Sequence, residues 1–158
     1  MGYRIGYGED LHRLVEGRPL ILAGKTIPHD KGCLGHSDGD VVFHAVADAL
    51  LSACGERDIG FHFPPSDPKI EGIDSAKILS FAYGKAKKAG LKLANLSLVI
   101  IAEEPKLSPY VDDMKTNLAT LLDLEPNRVG ITCKTNEGLG EIGAGKALAC
   151  RATLLLEE

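Results

Sequence analysis

Asp40-Val41-Val42-Phe43-His44-Ala45-Val46-Ala47-Asp48-Ala49-Leu50-Leu51-Ser52-Ala53-Cys54 is the stretch on which the fold turns. Gly39 precedes it and Gly55 stops it, so the spacing predicts a helix over 40–54. All of it is apolar except Asp40, His44, Asp48 and Ser52. Those residues recur every fourth position and form one polar stripe on an otherwise apolar cylinder. The stripe has two readings. It faces solvent, or it serves chemistry. A solvent stripe ordinarily carries Lys, Glu or Arg, whereas this one carries short carboxylates and a histidine. A metal-ligating His44 supported by nearby carboxylates fits that composition better.

Outward from this helix the chain alternates strands and helices. Tyr3 to Tyr7 reads as a short strand ending in a glycine-rich turn, and 20–23 with 26–29 as a hairpin around Gly24-Lys25. A second helix is expected over 75–89, with Asp74 or Ser75 as N-cap and Gly90 as its stop. The apolar run 96–102 suits a buried strand. Ser108-Pro109 opens a third helix in the N-cap/N1 manner, with Asp112 and Asp113 favourable in its first turn. Its core face would be Val111, Met114, Leu118, Leu121 and Leu122. Strands over 129–135 and 147–156 close the chain. The expectation is an α+β (α/β sandwich) fold with a single mixed sheet of about four main strands, helices packed on one face, and a small N-terminal hairpin. Residues 1–158 form one domain in this reading.

Composition excludes several classes of function. The 158 residues are 44% hydrophobic and 25% charged, in the range of soluble globular chains. A net charge of −4 argues against a nucleic-acid binder held by phosphate neutralisation. Charge or glycine interrupts every apolar stretch, so neither a signal peptide nor a membrane span is expected. Cys33, Cys54, Cys133 and Cys150 are widely spaced without a C-x-x-C pair. They read as reduced thiols, and the expected location is cytoplasmic, or plastid stroma for a mature plant or algal chain.

The chemistry-bearing residues begin with Asp10-Leu11-His12. In an extended segment residues i and i+2 point to the same side, so Asp10 and His12 can hold one ion together. A third ligand from elsewhere gives an N2O set with a fourth position open, the pattern of a catalytic zinc. His36-Ser37-Asp38-Gly39-Asp40 and His44 make that pattern more specific. Between the first two helices, 58–72 is a Pro/Gly/Asp-rich loop in which Asp58 and Asp67 are candidate acceptors for polyol hydroxyls, or ordinary turn residues. Ala102-Glu103-Glu104-Pro105-Lys106 follows a buried strand and puts amides and Lys106 at a sheet end. Gly138, Gly140 and Gly143 match a dinucleotide fingerprint, and Gly140 to Lys146 match a P-loop. Both matches fail: they require a following helix, only a strand remains, and Ala147 replaces the Ser/Thr that a P-loop uses for magnesium. Thr135, Glu137 and the flexible backbone still suit a phosphate and a divalent ion.

Taken in order, these blocks resemble one family over essentially the whole chain, the 2-C-methyl-D-erythritol 2,4-cyclodiphosphate synthases of non-mevalonate isoprenoid biosynthesis. The matching stretches are Gly6 to His12, His36 to Asp40 with His44-Ala45 and Asp48 to Leu51, Asp58-Ile59-Gly60 with Phe63-Pro64 and Asp67, Ile100 to Ala102 with Pro105-Lys106, and Lys134 to Gly140. The resemblance implies a metal-dependent lyase. It converts 4-diphosphocytidyl-2-C-methyl-D-erythritol 2-phosphate to the 2,4-cyclodiphosphate and CMP, in a homotrimer with active sites between subunits. It implies Asp10, His12 and His44 as ligands of zinc or another divalent transition metal. Glu137 would be the ligand of a second ion, Mg2+ or Mn2+, held with substrate. His36 and Thr135 are implied as catalytic, stabilising the transferring phosphate. Ser37, Asp58, Ile59, Gly60, Phe63 and Asp67 are implied for the methylerythritol side. Ala102, Pro105, Lys106, Leu107, Ser108, Lys134 and Asn136 are implied for the cytidine and diphosphate. No nucleic-acid or membrane partner is implied.

Three positions depart from the family pattern. Glu141 and Ala144 stand where an aromatic residue and an arginine are common, and Glu9 where an aromatic commonly precedes the zinc Asp. In the family that arginine helps bind an isoprenoid diphosphate in the trimer's central cavity, so weak binding of such anions is the expectation here. Two other functions fit the residues: a zinc-dependent phosphoesterase that activates water at the same ion and releases inorganic phosphate, and a non-catalytic trimeric metal- or nucleotide-binding module.

Overall fold

The computed structural model describes residues 2–158. In chain order the elements are β1 (Tyr3–Glu16), β2 (Leu20–Leu22), β3 (Lys25–Ile27), β4 (Lys31–Cys33), α1 (Val41–Ala53), α2 (Ile59–His62), α3 (Ser75–Lys88), β5 (Lys92–Ile101), α4 (Val111–Leu121), β6 (Val129–Lys134), α5 (Gly140–Gly143) and β7 (Ala147–Glu157). β2 and β3 form a separate hairpin, and the other strands form one sheet in the order β4-β1-β7-β5-β6. Only β5 and β6 run parallel; the remaining pairs are antiparallel. The α+β arrangement with helices on one face is as expected, with a fifth, three-residue strand, β4, that the sequence did not announce.

The largest correction is at the N-terminus. β1 runs unbroken for 14 residues instead of turning after Tyr7. Gly6 and Gly8 are strand residues whose missing side chains admit α1. A Cβ on Gly8 would overlap the Ala45 carbonyl oxygen and lie 2.5 Å from Ala49 N, and one on Gly6 would overlap Ala49 O. The glycines therefore mark a close approach of backbones, not a bend. β1 pairs with β7 from Tyr3↔Glu157 to Arg13↔Ala147, the longest ladder in the sheet.

Strand alternation divides the sheet into two faces. Leu148, Cys150, Ala152, Leu154 and Leu156 of β7, with Leu96, Leu98 and Ile100 of β5, pack under the helices and are buried. On the other face of β1, Tyr3, Ile5, Tyr7 and Leu11 are 51–73% exposed. α1 is apolar nearly all round because it is enclosed nearly all round, its residues Val41 to Ala47 and Ala49 to Leu51 being buried. Each fully buried leucine here, Leu50 and Leu51 of α1 and Leu79 of α3 among them, contributes roughly 1.5–3 kcal/mol relative to exposure.

Asp40 caps α1, accepting from Val42 and Phe43 N–H at 3.1 Å each. The same carboxylate accepts from Ala23 and Gly24 N–H at 2.9 and 2.7 Å, fastening the β2–β3 turn to the start of α1. Burial pushes its carboxyl up to about 6, against the pull of the Gly24, Phe43 and Ala23 donors. The polar stripe thus does not face solvent along its length: Asp40 and His44 are buried, Asp48 is half-buried, and Ser52 is exposed but bonded to the Tyr7 backbone.

The third helix also begins differently. Ser108–Tyr110 is a 3-10 turn without a side-chain cap bond, and α4 starts at Val111. Met114, Leu118 and Leu122 are buried as expected, while Val111 and Leu121 are half-buried at the margin of the core. The loop 58–72 carries the single-turn α2 and a 3-10 turn at Pro68–Ile70. The cysteines are unpaired, and burial pushes the Cys33 thiol up to about 12. No helix among the described residues is long and apolar enough to cross a membrane.

Candidate active site

Asp10 and His12 leave β1 on the helix-facing side, and His44 meets them from α1. Asp10 Oδ2 lies 2.7 Å from His12 Nε2 and 3.0 Å from His44 Nδ1, and the two imidazole nitrogens are 3.3 Å apart. Among the described residues this is the group of His, Cys, Asp and Glu able to hold a metal ion. The partners of the far ring atoms settle the tautomers. Leu34 O, 2.7 Å from His12 Nδ1, can only accept, so His12 carries its proton on Nδ1. Ser75 Oγ gives its hydrogen to Asp38 Oδ1 in a short bond. It is therefore the acceptor toward His44 Nε2 at 2.8 Å, and His44 carries its proton on Nε2. In neutral histidines both inner nitrogens then present lone pairs to a carboxylate oxygen. Such a cluster draws positive charge to its centre, a proton or a divalent ion, and the ion would meet all three donors at once. The N2O set thus fits the metal expected from the sequence.

The electrostatics follow the same demand. Burial alone would raise the Asp10 carboxyl, but hydrogen bonds and charge from His12 and His44 hold it at about 2. For His12, burial works against the charged form and the Asp10 carboxylate outweighs it, so its pKa is raised.

Ser75 was legible only as an alternative N-cap. Asp74 takes that role, accepting from Ala76 N–H at 2.9 Å, which releases Ser75 for His44. Asp38 receives both the Ser75 hydroxyl and its N–H, the latter at 3.0 Å. Ser37, expected toward substrate, is buried with its Oγ 3.1 Å from His44 Nε2. Replacing Ser75 by alanine removes the nearer of the two hydroxyls at His44 Nε2, the one whose own hydrogen is committed to Asp38. The expected result is metal affinity lower by about 10- to 100-fold, read by competition with a chromophoric chelator. An unchanged affinity would remove Ser75 from the metal's support.

The loop positions sort less simply. His36 is exposed. Asp58 caps α2 through Phe61 N–H at 3.1 Å, and Asp67 caps the following 3-10 turn through Lys69 N–H at 2.9 Å, so both carboxylates do turn chemistry. Asp48, one turn after His44, accepts from Ile59 N–H at 2.8 Å and ties Ile59 to α1. Phe63 packs edge-on against Phe81.

A second feature lies at the C-terminal ends of the parallel pair. An open cleft of about 640 Å³ is lined by Ala102, Pro105, Lys106, Leu107, Ser108, Lys134 and Thr135, together with His29, Glu103, Glu104 and Cys133. Seven positions named from sequence converge here. Glu103 was not singled out, yet it joins the two walls, accepting from Asn136 and Gly138 N–H at 3.0 Å each. Asn136 points away, its side chain donating to Leu139 O at 2.8 Å. Glu137 is exposed at φ +54 and its N–H donates to Thr135 Oγ1 at 3.3 Å. It stands apart from the Asp10–His12–His44 group.

Both features occupy one end of the sheet. Leu11 pairs with Ala149, Ala149 with Ile101, and Ile101 with Lys134. That row crosses three strand spacings, about 14 Å. No residue of the triad lines the cleft. On the open face Glu9 accepts from Tyr7 OH at 2.8 Å and lies 3.9 Å from the cation of Arg151.

Fold and donors together define an α+β protein with a three-donor N2O group able to hold a divalent metal. The profile of the YgbB family matches residues 3–157. The 2-C-methyl-D-erythritol 2,4-cyclodiphosphate synthase of Geobacillus kaustophilus is 49% identical over 156 residues, 99% of each chain. A solved 2C-methyl-D-erythritol-2,4-cyclodiphosphate synthase superposes with a TM-score of 0.91 at 47% identity, covering 98% of this chain and 100% of that one. A form of that enzyme with bound CDP gives a TM-score of 0.90 at the same identity and coverage. The chain belongs to the YgbB family.

Proposed function

We propose that the chain is a phosphorus–oxygen lyase of isoprenoid biosynthesis. It converts 4-diphosphocytidyl-2-C-methyl-D-erythritol 2-phosphate to 2-C-methyl-D-erythritol 2,4-cyclodiphosphate and CMP. The observation that carries the reading is the convergence of three lone pairs at Asp10, His12 and His44, at the same sheet end as a nucleotide-sized cleft. Relatives at 49% identity that are named for this reaction support it.

In this reading an oxygen of the substrate's 2-phosphate attacks the β-phosphorus. The bond from the β-phosphorus to the bridging oxygen breaks, and CMP leaves with the electron pair. The attacking group is already an anion, so no side chain has to generate a nucleophile. Asp10, His12 and His44 would hold a zinc-like ion, which supplies Lewis-acid neutralisation of phosphate charge. Leu34 O, Ser75 and Asp38 keep both imidazoles turned inward. His36 reaches the transferring phosphate from its exposed loop. Lys134, Thr135 and Lys106 hold the diphosphate and Ala102 to Ser108 the cytidine. Glu137 offers oxygen ligands to a magnesium or manganese ion carried in with the substrate. Asp58, Ile59, Gly60, Phe63 and Asp67 form the methylerythritol side, with Asp58 and Asp67 shaping turns whose backbone meets the polyol.

The triad and the cleft share no lining residue, which supports a homotrimer in which one subunit's cleft faces the next subunit's metal. The open sheet face bearing Ile5, Tyr7 and Leu11 is the apolar surface available for that association. The test is incubation with the cytidyl diphosphate substrate and magnesium, followed by phosphorus NMR, on protein whose mass is set by sedimentation. CMP and the cyclic diphosphate should appear in equal amounts from a particle of three chains, and zinc chelation should stop both. Inorganic phosphate in place of CMP would mean a phosphoesterase, and binding without turnover a non-catalytic module.

A further inference from the structure

The loop between β4 and α1 carries Gly35-His36-Ser37, and each of its three carbonyls is engaged. His36 O accepts from Gly72 N–H at 2.6 Å. The flanking two belong to one guanidinium: Arg18 Nη1 donates to Gly35 O at 3.2 Å and Nη2 to Ser37 O at 2.9 Å. Arg18 therefore straddles His36. The His36 side chain is exposed, and no hydrogen bond or ion pair to its ring occurs among the described residues. The reach of that ring is set by the backbone that carries it and by its own side-chain torsions.

Arg18 is itself held firmly. Pro19 restricts its backbone. Its carbonyl is pressed against β4, where a Cβ on Gly32 would lie 2.5 Å from Arg18 O. The planar fork matches two acceptors at fixed separation, as a lysine's single ammonium does not. Among the described residues the lysine and arginine ion pairs engage Arg4, Lys25, Lys85 and Arg151, and none engages Arg18. Its Nε is buried without a partner. A half-buried cation with only neutral acceptors is a poor device for stability alone. It is well placed where a reaction gathers phosphate charge.

We propose that Arg18 is a positioning residue, which by clamping Gly35 and Ser37 fixes the point at which His36 meets the transferring phosphate. This rests on the role given to His36 above. A loop freed from the clamp samples positions around the productive one, and a misplacement of about 1 Å costs roughly a hundredfold in rate.

The test compares R18A, R18K and H36A by metal per chain, kcat and KM for CMP release, and amide exchange over residues 34–39. R18A should lower kcat by about 30- to 100-fold, with KM changed by less than about threefold. Metal content should stay as in the wild type and exchange over 34–39 should quicken. R18K should recover less than about tenfold of the loss. Added methylguanidinium should raise the rate of R18A and leave H36A unchanged. A kcat for R18A within about threefold of wild type, beside an impaired H36A, overturns the proposal and leaves the reading of His36 intact. A wild-type rate in H36A removes the premise and the proposal falls with it. If R18A does not fold, R18K decides: wild-type kcat there shows that charge without the fork suffices, and the clamp is refuted.

Discussion

His44→Ala is expected to leave the purified protein without its ion and to lower CMP release by about a thousandfold or more, roughly 4 kcal/mol of transition-state stabilisation. Two donors remain after the change, Asp10 Oδ2 and His12 Nε2, only 2.7 Å apart. With one imidazole gone they no longer enclose a divalent ion. His44 is also buried against Ser37 and Ser75, so the variant loses packing and leaves the Ser75–Asp38 pair unanswered. Asp10→Asn separates the two effects. Its side chain is a quarter exposed and the amide keeps the carboxylate's shape. It should retain the wild-type circular dichroism while losing metal and activity together. Full metal content with a rate within about threefold of wild type, in either variant, would sink the triad as the catalytic ion's site.

The second large effect lies in the scaffold. Gly8→Ala should destabilise the protein by about 3 kcal/mol or more, lowering the urea midpoint by roughly 1.5 M. The added methyl has nowhere to go, because it would meet the backbone of Ala45 and Ala49 and not the movable end of a side chain. α1 would have to lift from β1, carrying His44 away from Asp10 and His12. Gly130→Ala on β6 is the control: its Cβ would find its nearest neighbour at 3.8 Å. That change should stay within about 0.5 kcal/mol. Equal midpoints for the two variants would show that the α1–β1 contact tolerates a side chain.

Some of this architecture could be read from residues alone. α1 was evident because a long apolar run bounded by glycines has one good solution, and Asp10-x-His12 because strand alternation is local. The limits were equally physical. A glycine in a strand and a glycine in a turn look alike until the opposing surface is known, and so β1 was expected to end near Tyr7. β4 is three residues long and exists by pairing with Leu14 to Glu16, a partner no local pattern names. Asp58 and Asp67 have the same composition whether they bind a polyol or cap a turn. Ser75 could be found only by noticing that Asp74-Ser75 offers two caps to a helix that uses one. Arg18 gave no signal at all, because its partners are main-chain carbonyls, which carry no residue identity.

Leu11 stands between the two ligands that β1 contributes and points to the opposite side of the sheet, where it is 62% exposed. The strand is a thin partition, one residue thick, with chemistry on one side and an apolar surface on the other. A pleated backbone does not move at residue 11 without moving residues 10 and 12. In the trimer proposed above it is the neighbouring subunit that rests against Leu11, so pressure at that contact would reach Asp10 and His12 through the strand itself, and assembly and metal pocket would share one length of backbone.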